Sequence, residues 1–313
     1  MAHKGRFAAN AEYAAFRFAC AAVNAIPYRL AMGIADALAA FATGVLRFKR
    51  ERTMRRLRSV FPGKTERELS KIARASLANV LKTAIEMMRA YRLDRKWMDG
   101  HVLDGRMYKD RLQSYVDEGK GVVVMVPHSG NWYMAAWSMA KYGLPLCSIA
   151  AKQRNEKIDA WMKRQYGDIE VVDRGSTKAL AAILEKLREG RVFAILPDLR
   201  SKTPDVEVDF LGGKANVSHA GAMFAVKCGS PIVVAVMRRE GGRHVFDHVA
   251  TLRPDPAAPD ARAEARRLTV EAMRLLDGKI RERPGDWFWY NKRWILDPPG
   301  RKPRAGAARP PIS

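Results

Sequence analysis

Five short apolar runs mark the centre of the chain: Val122–Val126, Leu146–Ala150, Ile169–Val172, Val192–Leu196 and Ile232–Met237. Short, nearly continuous runs of this kind are the mark of strands buried on both faces. Helical patterns lie between them, at about 131–142, 155–166, 177–189 and 218–228. This alternation predicts an α/β domain with a mostly parallel central sheet flanked by helices. Residues 244–252 read as an added strand and 259–283 as a long amphipathic helix. Upstream, Phe61-Pro62-Gly63-Lys64 reads as a turn. Thr65 then caps a helix, with Glu68 three residues on completing a capping box. That helix is predicted to end near Ile72, and a second to cover 73–92 with Leu77, Val80, Leu81, Ala84, Met87 and Met88 on one face. Another is predicted over 106–118.

The first 46 residues are apolar in a different way. Arg17, Arg29 and Asp36 interrupt the stretch and Pro27 breaks it, so no run reaches the roughly 18 to 20 residues a bilayer core requires. A secretory signal fits poorly, because the apolar character continues past Arg17 and Arg29 in two blocks. The expectation is two amphipathic or re-entrant helices, about 10–26 and 28–46, followed by Arg47, Lys49, Arg50, Arg52, Arg55, Arg56 and Arg58. An apolar hairpin beside a basic cluster suits a membrane-associating segment on anionic lipid; the alternative is a buried hairpin with a solvated basic face. The expected organisation is 1–60 as helices and basic cluster, 61–297 as the α/β domain, and 298–313 as a disordered basic tail.

Charge sharpens this picture. The formal net charge is +23, from 56 Lys+Arg against 33 Asp+Glu. Such an excess calls for a polyanionic partner, either nucleic acid or an anionic membrane. Residues 1–60 hold 11 Lys+Arg against 3 acids, and 279–313 hold 9 against 3. The excess therefore sits beside amphipathic segments, and no helix-turn-helix, zinc or RNA-binding motif lies between them. The expected partner is an anionic membrane lipid and not nucleic acid. Three scattered cysteines, Cys20, Cys147 and Cys228, make no disulfide framework.

The chemistry concentrates at Val126-Pro127-His128-Ser129-Gly130-Asn131-Trp132-Tyr133. A buried strand ends there and a helix follows, and ligands of open α/β sheets bind outside the carboxyl ends of the strands. Imidazole is the usual side chain for taking a proton from a hydroxyl near neutral pH. Gly130 lets a substrate or a backbone approach closely, and the helix start offers N–H donors to developing negative charge. A structural or capping role for His128 stays open on these residues alone. Ser129 lacks the Gly-x-Ser-x-Gly elbow of a nucleophile. His219, His244 and His248 share no metal-ligand spacing with an acid, so no metal site is expected.

The sequence resembles the lauroyl/myristoyl-type acyltransferases of late lipid A biosynthesis, a family that includes mycobacterial phosphatidylinositol-mannoside acyltransferases and belongs to the lysophospholipid acyltransferase superfamily. The resemblance covers about residues 12–296. It rests on the order of several motifs: the apolar stretch with Pro27, Val60-Phe61-Pro62, Thr65-Glu66-Arg67-Glu68-Leu69 and Ala73-Arg74-Ala75-Ser76. Then come His128-Ser129-Gly130-Asn131-Trp132, Arg154-Asn155-Glu156-Lys157-Ile158-Asp159 and Leu196-Pro197-Asp198. Val208-Asp209-Phe210-Leu211-Gly212 and Trp287-Phe288-Trp289-Tyr290-Asn291-Lys292-Arg293-Trp294 close the series.

The resemblance implies acyl transfer from acyl carrier protein or coenzyme A thioester to a lipid acceptor, with no cofactor, at the cytoplasmic face of a membrane. It implies His128 as general base, paired with an acid five positions on. Tyr133 stands at that position, a departure, since a phenol supplies little charge stabilisation. Three outcomes stay open: another carboxylate, foremost Asp198, substitutes; His128 works with Tyr133 alone; or the chain only binds lipid. Arg154 and Asn155 match the family's motif after the second strand, against bland readings as a solvated charge and a helix cap. Asn131, Gly130 and Arg200 complete the substrate-binding candidates. Arg238 and Arg239, at a strand end, suit either a phosphate or a surface role. Trp287–Trp294 suits either a membrane interface or a cap on the core.

Overall fold

The computed structural model describes residues 5–174 and 179–297; the basic tail expected from Pro298 lies outside the described residues. In chain order the elements open with α1 (Arg6–Ala25), α2 (Tyr28–Gly44), α3 (Arg50–Val60) and α4 (Glu66–Met88). Next come α5 (Arg95–His101), β1 (Val102–Leu103), α6 (Gly105–Asp117), β2 (Val122–Met125), α7 (Trp132–Lys141) and β3 (Leu146–Ala150). Then follow α8 (Glu156–Gln165), β4 (Glu170–Asp173), α9 (Ala179–Arg188), β5 (Val192–Ile195), β6 (Val206–Phe210) and β7 (Gly213–Val217). The chain closes with α10 (Ala220–Cys228), β8 (Ile232–Glu240), β9 (Arg243–Leu252) and α11 (Ala261–Glu282).

Seven strands form one sheet in the order β1-β9-β8-β2-β5-β3-β4, parallel throughout except for the β8–β9 pair. The expected α/β class is therefore what the chain adopts. Strand residues alternate between two cores, as the two-residue period of a strand requires. Val123, Met125, Phe193 and Val234 pack with α9, α10 and α11. Val122, Val124, Val192 and Val233 pack with α5, α6 and α7.

Two features depart from the sequence reading, and a third decides between the alternatives it left open. The helix expected to break near Ile72 is continuous as α4, with the Thr65–Glu68 capping box at its start. No proline or glycine interrupts residues 66–88, so nothing stops the helix there. Part of the basic cluster is the helix α3, whose Met54, Leu57 and Val60 are buried. Arg56 donates to the Trp289 and Asn291 carbonyls, and Arg52 to that of Tyr290. The Trp287–Trp294 segment caps the core, with Trp287, Trp289, Tyr290 and Trp294 all buried.

The N-terminal hairpin packs inside out. Ala31, Ala35 and Ala39 of α2 are fully buried and bring it close to α4, whereas Leu30, Ile34, Leu38 and Phe41 are exposed. Phe7 and Phe18 of α1 are 87 % and 76 % exposed. Among the described residues no helix is long and apolar enough to cross a membrane.

Candidate active site

The sheet register sets the site. β2 and β5 are adjacent and parallel, with Met125 opposite Ile195. His128 and Asp198 each stand three residues beyond that pair, so the two strand ends deliver them side by side. The His128 ring Nδ1 lies 2.7 Å from Asp198 Oδ1. Asp198 Oδ2 accepts from the His128 backbone N–H at 2.7 Å and from the Trp287 indole at 2.7 Å. The carboxylate is fully buried, while the His128 side chain keeps 18 % of its surface.

Burial opposes ionisation of Asp198, but His128 and the donated hydrogen bonds outweigh it and hold the carboxyl below its ordinary value. An ionised carboxylate only accepts. Nδ1 of the neutral ring therefore carries the proton, and Nε2 keeps its lone pair.

His128 lines a cavity of about 700 Å³ at the carboxyl ends of the strands. Its walls are largely apolar, from Val124, Val126, Ile149, Leu146 and Phe224 among others. Trp132 stands edge-on to the His128 ring, centroids 5.1 Å apart. Arg174, Arg200, Lys202 and Arg293 also line the cavity, and among the described residues no carboxylate does.

A model of the bacterial lipid A biosynthesis acyltransferases matches residues 7–295. The chain belongs to that family. The acyltransferase is also similar to the phosphatidylinositol mannoside acyltransferase of Mycolicibacterium smegmatis, 26 % identical over 284 residues, 88 % of each chain. The protein of that name from Mycobacterium tuberculosis is 26 % identical over 196 residues, 60 % of this chain and 59 % of the relative. The acyltransferase is thus an enzyme that transfers acyl groups, with a lipid or glycolipid as acceptor.

The other expected site residues of the acyltransferase divide into cavity wall, support and periphery. Tyr133 lines the cavity and stacks on Trp137 with centroids 5.6 Å apart. Among the described residues no hydrogen bond joins its hydroxyl to His128, and burial pushes its phenol up. Arg200 lines the cavity too. Arg154 is exposed and does not line it, although its neighbour Gln153 does. Asn155 caps α8 and donates to the Ala9 carbonyl and Glu12, tying α1 to α8.

Gly130 serves a backbone and not a substrate. Its φ is +57°, and a Cβ there would fall 1.6 Å from the Met237 carbonyl oxygen. Asn131 is likewise fully buried. It caps α7 by accepting from the Met134 N–H at 3.0 Å, and it donates to Glu86 Oε2 at 2.6 Å. Arg239 binds no open site. Its guanidinium forks onto Glu86 at 2.7 and 2.5 Å, and Arg238 pairs with Glu240.

Sequence reasoning missed the support behind the loop. Ser76, Asn79, Thr83 and Glu86 form a buried polar stripe on α4, spaced three, four and three residues apart, one face of a helix. Ser76 donates to the Trp287 carbonyl at 2.5 Å. Asn79 donates to the carbonyls of Gly130 and Asp286 at 2.8 and 2.9 Å. Thr83 donates to the Gly130 carbonyl at 3.2 Å. Glu86 also receives the Tyr28 hydroxyl at 2.6 Å and lies 3.0 Å from His244 Nε2. The segment 286–288 straps the loop from the other side: Gly130 N–H donates to the Asp286 carbonyl, and Phe288 N–H to that of His128.

Proposed function

We propose that this enzyme moves a long acyl chain from an acyl carrier protein or coenzyme A thioester to a hydroxyl of an anionic glycolipid, with His128 as general base. The observation that carries this reading is the His128–Asp198 hydrogen bond at 2.7 Å, buried on the acid side and open to an apolar cavity on the other. Nε2 of His128 takes the acceptor hydroxyl proton as that oxygen attacks the thioester carbonyl. Asp198 holds the tautomer and offsets the imidazolium charge. The α7 N-terminus follows the loop directly and offers first-turn N–H groups to the oxyanion. The intermediate collapses with loss of the thiolate, which takes the proton back from His128. Atoms balance to an ester and a free thiol, and no cofactor enters.

The four cations at the cavity suit a phosphate, on the acceptor headgroup or on the pantetheine arm of the donor. The mycobacterial relatives are named for a phosphatidylinositol mannoside, and the family model for lipid A; both are phosphorylated glycolipids. Large apolar side chains outside α1 and α2, with exposed Arg47, Lys49 and Arg50 beside them, support peripheral or monotopic seating on an anionic membrane. In a bacterium that is the cytoplasmic face of the inner membrane, where the thioester donors are. Asp198 supplies the carboxylate whose absence at Tyr133 motivates a purely lipid-binding alternative.

His128→Ala should cut transfer of labelled palmitate from palmitoyl-CoA or palmitoyl carrier protein to phosphatidylinositol mannoside by about 10²- to 10⁴-fold. Wild-type turnover in that variant refutes the assignment. Lipid mass spectrometry of a deletion strain names the natural acceptor by the class that loses one acyl mass.

A further inference from the structure

The polar stripe of α4 does more than fill a core. A buried carboxylate with four kinds of donor is costly to assemble, and replacing such a cluster with apolar residues is often neutral or stabilising. Here every partner of Glu86 sits on a different element: Tyr28 opens α2, Asn131 opens α7, Arg239 ends β8 and His244 begins β9. Two further stripe residues, Asn79 and Thr83, hold the Gly130 carbonyl. Arg239 in turn donates to Asn79 at 2.9 Å and Thr83 at 3.3 Å. The stripe therefore grips two consecutive residues of the loop, 130 and 131, directly after His128 and its neighbour Ser129.

We propose that Glu86, with Asn79, Thr83 and Arg239, is a positioning unit that sets where the His128 ring stands over the cavity. This rests on His128 being the base. Asp198 fixes the ring at Nδ1 and at the backbone N–H. The strand end is held by Asp198 and the helix start by Glu86, so the intervening loop is anchored on both sides. Neither Glu86 nor Arg239 lines the cavity, so the unit acts through the loop and not on the substrate. A reacting group displaced by about 1 Å can lose 10²-fold in rate, which sets the size of the expected effect.

Asn131→Ser separates positioning from stability. A serine keeps the N-cap of α7 but is too short to reach Glu86, which retains Arg239, His244 and Tyr28. Palmitoyl transfer to phosphatidylinositol mannoside is followed well below each variant's melting temperature, from whichever of palmitoyl-CoA and palmitoyl carrier protein turns over. The expected result is a kcat about 10- to 100-fold lower with a donor KM within about threefold of wild type. Thr83→Val should lower kcat in the same way, and Thr83→Ser should restore it. Asp260→Ala, which removes a cap from the remote α11, supplies a matched loss of melting temperature with kcat unchanged. A kcat for Asn131→Ser within twofold of wild type overturns the proposal, whatever its melting temperature. If His128→Ala is inactive and Asn131→Ser is not impaired, only the positioning role falls. If His128→Ala turns over normally, the base assignment falls first.

Discussion

Asp198 and Glu86 are both fully buried carboxylates that hold a histidine, yet their surroundings differ at one decisive place. The ring on Asp198 keeps 18 % of its side-chain surface and borders the cavity, while His244 on Glu86 keeps 1 %. The charges are also balanced differently. Glu86 meets a permanent cation in Arg239, so its cluster is closed to proton traffic. Among the described residues Asp198 meets only neutral donors and an imidazole that can gain a proton. A buried acid–histidine contact is thus not in itself a catalytic signature; the His128–Asp198 pair differs by an opening on the far nitrogen and by the lack of a fixed counter-charge, the two features that the proposed role of His128 requires.

Substitutions can break this contrast. The largest effect on rate is expected for Asp198→Asn, which keeps the shape but loses control of the tautomer. A loss of up to about 10⁴-fold in kcat, as in a Ser-His-Asp triad, should be measured by palmitoyl transfer well below the variant's melting temperature. Glu86→Ala should show its main effect in stability, about 3–5 kcal/mol, because it strands a buried guanidinium. Denaturant unfolding measures it, and a loss under 1 kcal/mol would make the closed cluster dispensable.

Acid should sharpen the same contrast. Burial works against ionisation of Glu86, but Arg239 and His244 outweigh it and hold its carboxyl well below the ordinary value. Asp198 is also lowered, through His128. Groups depressed on folding stabilise fully above the unfolded carboxyl pKa, near 4. That contribution is lost as pH falls through the folded values. Stability should therefore drop below about pH 4, and the drop should be shallower in Glu86→Gln than in Asp198→Asn. Unfolding curves from pH 6 to pH 2 test this. The smallest effect is expected at Tyr133→Phe, under about twofold in kcat, since the hydroxyl does not serve His128 and the ring is kept; a tenfold fall would restore Tyr133 as a partner of the base.

The parts legible in the sequence were those governed by local pattern. Continuous apolar runs located the parallel strands because both faces of each are buried. The β6–β7 hairpin escaped, although Val206, Val208 and Phe210 alternate with exposed residues. Its turn places Leu211 at φ +51°, a position that favours glycine or asparagine, and Asp277 holds that residue's N–H. The pairing of His128 with Asp198 was open in the sequence as one outcome of three. It depends on β2 and β5 being neighbours in register, which no local pattern encodes. Glu86 lies on a polar stripe with the same helical spacing as the apolar face of α4, and periodicity alone does not tell a buried polar stripe from a solvated one.

The strap from Asp286 to Phe288 gives the site an order of assembly. A ribosome releases the loop and Asp198 well before it releases Trp287, whose indole completes the shell around the carboxylate. A nascent chain can pair β2 with β5 and still lack the indole donor to Asp198 until residue 287 has been made. Translation that stops short of residue 286 would leave Asp198 without its indole donor and the core without the buried Trp287, Trp289, Tyr290 and Trp294.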